Sequence, residues 1–291
     1  MAIKRKLGVS LKGNTESKEL SKELDMPSRI PATKNKPSDS LRDYVMLIYG
    51  LKKIGKTSIC QFFEDAFFLM CEPGAKSLAV RQTTDAEGNL RPVKSWHEFK
   101  AWVKMLEKDK TVRTIIVDPI DRLFKLCDAY ACQKLAIKHP SEAEWGKGWA
   151  AVRDEFEEWI LGRLLGMGKG VIFISHAKDA EIKTRTGETY NKITSTMANQ
   201  AKEVIEGVID IWCHYRYDGS KRVLTICGDD HIDAGHRLSS HFRYTDGTRV
   251  RDIPMGKSEK EAYENFTAAF ENKLDPENRE PRKKMSLKLK R

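Results

Sequence analysis

The stretch "IYGLKKIGKTSIC", residues 48–60, decides the fold class. It fits the pattern G-x-x-x-x-G-K-[ST], with Gly50, Gly55, Lys56 and Thr57 at the fixed positions. Backbone N–H groups can surround an anion where no side chain blocks the approach, the lysine neutralises the outer phosphates, and the hydroxyl ligates Mg²⁺. The sequence therefore predicts a nucleotide phosphate-binding loop composed of Gly50, Leu51, Lys52, Lys53, Ile54, Gly55, Lys56, Thr57 and Ser58.

The segments on either side of this loop predict a β-α-β unit. "YVMLIYG" (44–50) is a short apolar run typical of a buried strand, and "TSICQFFEDAFF" (57–68) carries apolar residues at helical spacing. "FFLMCEPG" (67–74) predicts a second short strand. Strand, glycine-containing turn and helix come in the order that a β-α-β unit requires.

Helical and strand patterns continue to alternate further along the chain. Ser95 and Glu98 predict a capping box at the start of a helix. "RTIIVDPID" (113–121) is a continuous β-branched run, which is typical of a central parallel strand. Ser141 and Glu144 predict the cap of a second helix, whose apolar members recur on one face.

The last third of the chain predicts the edge of the sheet. "GVIFISHAKD" (170–179) reads as another buried strand. "GVIDIWCHYRYD" (207–218) and "KRVLTICGDD" (221–230) predict adjacent antiparallel strands joined by a turn at Asp218-Gly219, and 257–274 predicts an amphipathic helix. We therefore expect an α/β fold with a mostly parallel central sheet, flanking helices and antiparallel edge strands.

Carboxylates at the ends of these strands are candidates for metal binding and catalysis. Asp118 follows the apolar run "TIIV", where a second metal ligand beside Thr57 is expected. Hydrolysis also needs a group that orients or deprotonates the attacking water. Glu72, after the second strand, is the first choice and Asp121 the second. A simple turn role before Pro73-Gly74 is the alternative for Glu72.

His176 is a candidate sensor of the bound nucleotide. It lies at the polar end of the strand 170–179, close to where a γ-phosphate would lie beside a parallel sheet. From there it would report the presence of that phosphate to the segment that follows. A plain hydrogen-bonded histidine is the alternative.

The segment "EIKTRTGETYNKITST" (181–196) is a candidate nucleic-acid contact. Its basic residues Lys183, Arg185 and Lys192 surround Tyr190. Basic groups around an aromatic ring suit single-stranded nucleic acid, because charge holds the phosphates while a base stacks on the ring. A mobile, solvated loop explains the same composition without any binding.

The basic charge of the chain is concentrated in its two ends. The formal net charge is +10, but residues 1–43 carry +4 and residues 272–291 carry +5. Residues 1–43 have few large apolar side chains, so burial would not offset the entropy of ordering them. We expect a basic tail over 1–43, an ATPase domain over 44–271 and a second basic tail over 272–291, either solubilising or bound to phosphate backbones.

Several functional classes are disfavoured by composition. No run of about 18 apolar residues predicts a membrane span, and the first residues lack the apolar core of a secretory signal. The six cysteines form no C-x-x-C pair, which favours a reducing cytoplasm over a zinc site or disulfides. The spacing of His231, His236 and His241 matches neither a helix face nor a strand face, so we do not expect a metal site there.

In this order, "YGLKKIGKTS", "EPG", "TIIVDPID" and "VIFISHAKD" resemble the phage-encoded P-loop ATPases with a RecA-like core, a group that includes the Sak-type single-strand annealing and recombination proteins. The resemblance covers residues 44–270. It implies a RecA-like P-loop NTPase fold, ATP with Mg²⁺ as cofactors, and single-stranded DNA as partner. It also implies a neighbouring single-strand binding protein and a ring or filament of identical subunits.

The same resemblance assigns roles to particular residues. It implies that Glu72 is the general base, that His176 senses the γ-phosphate, and that the segment 181–196 touches DNA. Many relatives carry glutamine where His176 stands. Two other functions compete with DNA annealing: a nucleotide switch or loading adaptor that acts on a protein partner, and a small-molecule kinase, which lacks a recognisable arginine lid here.

Overall fold

A computed structural model describes residues 30–278 of the 291. Within it, residues 30–37 are exposed and contain no helix or strand. Most of the expected N-terminal tail, and the basic end 282–291, lie outside the described residues. Leu41 and Leu274, which lie just outside the expected domain 44–271, are both buried in the core.

The described chain alternates strands and helices. The strands are β1 (Val45–Gly50), β2 (Ala66–Met70), β3 (Arg81–Gln82), β4 (Thr114–Asp118), β5 (Gly170–Lys183), β6 (Thr189–Ser195), β7 (Ile211–Asp218), β8 (Lys221–Thr225), β9 (Gly235–His236) and β10 (Asp252–Pro254). The α-helices are α1 (Lys56–Cys60), α2 (Trp96–Lys108), α3 (Ile120–Lys134), α4 (Lys147–Glu157), α5 (Asn199–Glu206) and α6 (Glu259–Phe270), and a π-helical segment Glu158–Leu164 extends α4. No helix among these residues combines the length and apolar character needed to cross a bilayer.

One sheet organises the fold, with the strand order β10-β8-β7-β1-β5-β4-β2-β3. The strand β1 lies between β5 and β7 and pairs with both in parallel, so that Gly50 is in register with His176 on one side and Tyr215 on the other. The strands β5, β4, β2 and β3 are also mutually parallel. The carboxyl ends of β1, β4 and β2 therefore meet at one edge of the sheet, where β5 passes beyond its parallel neighbours.

The predicted fold class is confirmed: a mixed α/β fold with a mostly parallel central sheet and helices on both faces. The antiparallel edge is also present, since β8 pairs with β7 and with β10 in antiparallel register. The strand β7 itself belongs to the parallel part through its pairing with β1.

Alternation of side chains along the strands creates one hydrophobic layer on each face of the sheet. In β1, Leu47 packs in one layer, whereas Met46 and Ile48 pack in the other. In β4, Ile115 and Ile116 divide in the same way. Because these central strands are covered on both faces, they appear in the sequence as continuous apolar runs.

The helix after the phosphate-binding loop is shorter than the sequence predicted. We expected a helix over 57–68, but α1 ends at Cys60 and turns carry the chain into β2. Asp65 adopts a left-handed conformation (φ 53°), which a continuing helix does not permit. Phe67 and Phe68 then alternate between the two hydrophobic layers as strand residues, and this burial outweighs their helical spacing.

The helix caps agree with the predictions in part. Ser95 caps α2 by accepting a hydrogen bond from the Glu98 backbone N–H, as expected. The cap expected at Ser141 and Glu144 is wrong, because short 3-10 turns occupy this region and α4 begins at Lys147. The helices α3 and α5 were not predicted, although the apolar side chains of α3 recur at helical spacing.

The segment 181–196, expected as a mobile loop, is a β-hairpin. The strand β5 continues past His176 to Lys183 and pairs antiparallel with β6, from Ala177 opposite Ser195 to Lys183 opposite Thr189. A turn with Gly187 at φ 90° joins the two strands. His176 therefore does not end its strand, because backbone hydrogen bonding to β6 lets the chain stay extended after the parallel sheet ends.

At Gly50 a side chain would disturb the pairing of β1 with β7. A Cβ at Gly50 would lie 2.0 Å from the Tyr215 carbonyl oxygen, so Gly50→Ala must separate the two strands. We expect it to lower the free energy of unfolding by about 1–3 kcal/mol, the usual cost of overpacking. Urea unfolding followed by circular dichroism measures this change.

Gly162→Ala is the matched control, since a Cβ there meets no atom within 4 Å. It should leave the unfolding midpoint unchanged or raise it. Equal midpoints for Gly50→Ala and the parent protein would contradict the proposed close approach.

Candidate functional site

The phosphate-binding loop is shaped by backbone conformations that its sequence permits. Gly55 has φ 109° and precedes the first residue of α1, so the loop turns sharply into the helix. Lys53 is also left-handed, with φ 63°. Leu51, Lys52 and Lys53 are exposed, whereas Ile54 is buried and anchors the loop in the core. The loop thus has the open, glycine-hinged form that anion binding by backbone N–H groups requires.

Lys56 is buried beneath this loop. Its Nζ donates hydrogen bonds to the carbonyl oxygens of Gly50 (2.9 Å) and Leu51 (2.7 Å). Burial lowers the pKa of Lys56 to about 8, although nearby carboxylates oppose the shift. The loop therefore presents a single poorly hydrated cation, which a phosphate group would neutralise.

Thr57 and Asp118 meet across the site. The Thr57 hydroxyl donates to Asp118 Oδ2 at 2.5 Å, which joins the start of α1 to the end of β4. Burial raises the pKa of Asp118, while the hydrogen bond from Thr57 and the charge of Lys56 act in the opposite direction. A hydroxyl and a carboxylate next to a phosphate-binding loop are hard oxygen ligands, and this donor set fits Mg²⁺. Both predicted metal ligands are brought together.

Glu72, just after β2, and His176, where β5 passes the end of β1, lie together at the same edge of the sheet. Glu72 Oε1 is 3.9 Å from His176 Nε2, and 48% of the Glu72 side chain is exposed. Burial, followed by the charge of Lys56, lowers the pKa of His176, so the imidazole is neutral at pH 7. The contact is therefore not a charged pair at that pH, and water can reach the half-exposed carboxyl group of Glu72.

Asp121 is held beside the same strand ends by Thr196. The Thr196 hydroxyl donates to Asp121 Oδ1 at 2.6 Å, and the Thr196 backbone N–H donates to the His176 carbonyl oxygen at 2.9 Å. Asp121 Oδ2 is buried and has no hydrogen-bond partner within residues 30–278. Sequence reasoning missed Thr196, whose position follows only from the return of β6 alongside β5.

A cleft of about 1370 Å³ extends from the phosphate-binding loop across these residues. Glu72, Asp121 and His176 line one part of it. Its basic lining residues are Lys52, Lys94, Arg122, Lys125 and Lys178. All five are exposed, and none is paired with a carboxylate in the part of the chain that the structure describes. Positive charge therefore exceeds negative charge along the cleft.

The four residues predicted to contact nucleic acid are not brought together. Lys192 and Tyr190 project from one face of the hairpin, whereas the alternation of the strand places Lys183 on the other and Arg185 lies in the turn. Lys192 is paired with Asp233 at 2.6 Å. Tyr190 is half-buried and contacts the His231 ring edge to face. The hairpin thus does not form the single basic and aromatic surface that the sequence suggested.

The histidines at 231, 236 and 241 serve local packing. His231 contacts the Asn191 carbonyl oxygen, and His241 stacks on Phe270. Over the described range 30–278, no group of three or more His, Cys, Asp or Glu residues is arranged to hold a metal ion by itself.

Similarity to known proteins extends over most of the folded chain. Residues 42–238 match the family model described as AAA domain. The SPbeta prophage-derived uncharacterized protein YorG of Bacillus subtilis (strain 168) is 30% identical over 158 residues, or 52% of this chain and 45% of YorG. The chain thus spans about half the length of that relative. A KaiC-like protein from Pyrococcus horikoshii OT3 superposes with a TM-score of 0.42 at 12% identity, covering 75% of this chain and 88% of that one.

The lowered pKa of Lys56 predicts a pH dependence of nucleotide affinity. Lys56 in the free protein releases its proton near pH 8, so the loop loses its cation above that pH. We expect ATP affinity to fall as pH rises from 7 to 9.5, by up to about tenfold per unit above the pKa. Titration calorimetry at a series of pH values measures this. Lys56→Ala should bind weakly with no such slope, and a flat profile for the parent protein would contradict the assignment.

The geometry of Glu72 and Asp121 predicts different consequences of their substitution. Glu72 has a carboxylate open to the cleft, whereas Asp121 already accepts a hydrogen bond from Thr196. Glu72→Gln should retain ATP binding and slow hydrolysis by about 10²- to 10⁴-fold. Phosphate release in single-turnover assays measures the rate, and Asp121→Asn serves as the matched comparison. Hydrolysis at the parental rate in Glu72→Gln would transfer the role of base to Asp121.

Proposed function

Because this chain belongs to the AAA domain family, we propose that it is a RecA-like ATPase that binds single-stranded DNA and promotes annealing or recombination in phage DNA metabolism. The observation that carries the proposal is the continuity of the phosphate-binding loop with a cleft whose basic lining residues have no carboxylate partner within residues 30–278. ATP and DNA would then occupy adjoining parts of one site.

The nucleotide half of the proposal rests on the buried residues around Lys56. The N–H groups of the loop and the Lys56 ammonium would hold the phosphates, and Thr57 with Asp118 would hold Mg²⁺. When bound, Mg²⁺ would neutralise the negative charge that develops on the phosphate groups during hydrolysis. Glu72 would orient and deprotonate the attacking water. The neutral imidazole of His176 would lie beside the γ-phosphate as a hydrogen-bond donor or acceptor.

The DNA half of the proposal is supported by the charge of the cleft. Unpaired lysine and arginine side chains bind phosphate backbones without sequence preference, and they release counterions when they do so. Arg122, Lys125 and Lys178 line the same cleft as Glu72 and His176. The preference for a single strand comes from the resemblance to Sak-type proteins, and we extend it to this chain as part of the proposal.

Thr196 offers a physical route by which the two halves would influence each other. It contacts Asp121 with its hydroxyl and His176 with its backbone N–H, and it also lines the basic cleft. A movement of His176 on loss of the γ-phosphate would therefore be transmitted to the surface that holds DNA. ATP turnover and DNA affinity would be linked in both directions.

The phage setting and the partners are also part of the proposal. The similarity to a prophage-derived protein favours a phage setting. A neighbouring single-strand binding protein and a homo-oligomeric ring or filament would complete the assembly. In that assembly the exposed clefts of the subunits would all bind the same DNA strand.

A nucleotide-dependent adaptor for a protein partner is the second candidate. Trp145 favours it, because its side chain is 92% exposed on the turn before α4, where a protein surface would bury it. Aromatic residues of this kind are enriched at protein interfaces. This adaptor would bind ATP in the same loop but would not need the basic residues of the cleft.

Charge reversal in the cleft tests the proposal directly. The double variant Arg122→Glu, Lys125→Glu changes two exposed side chains and leaves Lys56 and Thr57 intact. We expect its affinity for a fluorescent oligothymidylate to fall at least tenfold at low salt. The slope of log affinity against log salt should decrease by about 0.7 for each lost phosphate contact. Fluorescence anisotropy with ATP and Mg²⁺ present measures both.

The control is Lys108→Glu, Lys110→Glu, which makes the same change in net charge near the amino end of β4, away from the cleft. It should bind the oligonucleotide like the parent protein. Parental DNA affinity in the cleft variant, or no DNA binding by the parent protein, would favour the adaptor.

A further inference from the structure

The two sides of β1 differ in the groups they bring to the phosphate-binding loop. Three groups lie on one side of β1: Asp118 at the end of β4, Glu72 just after β2, and His176 within β5. On the other side lies the β7–β8 hairpin. The terminal phosphate of a bound nucleotide would therefore lie toward β5 and β4. Its nucleoside end would extend from the loop toward β7 and β8.

Two side chains of this hairpin approach the loop closely. A Cβ at Gly55 would lie 3.5 Å from Arg222 Nη1 and 3.9 Å from the Tyr215 hydroxyl. Arg222 is fixed in this position, because its Nη2 donates to the Gly256 carbonyl oxygen at 3.3 Å and its Nη1 lies 3.6 Å from Glu259. Only 13% of the Arg222 side chain is exposed. A guanidinium is thus held next to the phosphate-binding loop.

Tyr217 is a third residue of the β7–β8 hairpin on this side of the loop. It is directly opposite Arg222 in the antiparallel register of the hairpin, so the two side chains lie on the same face. It is also two residues beyond Tyr215 and shares its face for that reason. Tyr217 is 49% exposed, whereas Tyr215 is buried. An accessible aromatic ring therefore lies beside Arg222, past the carboxyl end of β1.

We propose that Tyr217 and Arg222 form the subsite for the nucleoside end of the nucleotide, with the base stacked on the Tyr217 ring and the Arg222 guanidinium beside the phosphate nearest the ribose. This proposal rests on the nucleotide binding proposed above and adds its base-recognition residues. Every base has a π-face that an aromatic ring can stack on, and arginine recognises phosphate oxygens through its planar fork. Glu259 and Gly256 act here as positioning groups for Arg222.

The test compares ATP with inorganic tripolyphosphate, which has the phosphates but no base. Titration calorimetry on the full chain with Mg²⁺ measures both affinities. Tyr217→Ala should weaken ATP about tenfold, the range of one base–aromatic stack, and leave tripolyphosphate unchanged. Tyr217→Phe keeps the ring and should retain parental affinity for both ligands. Thermal melts check that each variant is folded.

Arg222→Gln provides a second readout, since it should weaken ATP and tripolyphosphate alike. Parental ATP affinity in Tyr217→Ala, or an equal loss of both ligands in that variant, would overturn the assignment of the base to Tyr217. Lys56→Ala distinguishes this outcome from failure of the proposed function. If the parent protein binds ATP and Lys56→Ala binds it much more weakly, nucleotide binding stands whatever Tyr217→Ala shows.

Discussion

The parallel pairing of β1 with β5 and β7 is the constraint on which the rest of the site depends. It sets Gly50 in register with His176 and Tyr215, and the 2.0 Å approach that a Cβ would make to the Tyr215 carbonyl oxygen leaves no space for a side chain. The chain then leaves the sheet through a loop in which Lys53 and Gly55 adopt positive φ angles. That loop is the phosphate-binding element, so the packing of the sheet and the capacity to bind an anion have the same origin.

Charge is distributed around this loop according to burial. Lys56 is buried beneath the loop and Asp118 is buried opposite it. Burial lowers the pKa of Lys56 and raises that of Asp118, so both shifts favour the neutral form of the group. A ligand of opposite charge compensates for the hydration that each group loses on burial. Phosphate is therefore favoured at Lys56 and a cation at Asp118. Farther out, the basic side chains of the cleft remain hydrated and would act through longer-range attraction. The inner groups would fix the nucleotide, while the outer ones would attract a polyanion.

The sequence predicted the parts of this structure that local patterns encode. Continuous apolar runs identified β1, β4 and the buried half of β5, and the glycine–lysine–threonine pattern identified the loop. The length of α1 was wrong because tertiary burial of Phe67 and Phe68 in β2 outweighed their helical spacing. The hairpin β5–β6 was read as a loop because its polar strands are paired mainly with each other. Thr196 reaches Asp121 only through the return of β6 alongside β5, and only the register of β7 with β8 sets Tyr217 opposite Arg222; local patterns specify neither.

ATP hydrolysis by the full chain, with and without single-stranded DNA at low and moderate salt, tests the central claim most directly. If the loop and the basic cleft form one coupled site, DNA increases the rate at low salt, and the increase shrinks at moderate salt as counterions compete. A rate that is the same with and without DNA at both salt concentrations would contradict the coupling. It would leave a P-loop NTPase whose cleft serves another partner.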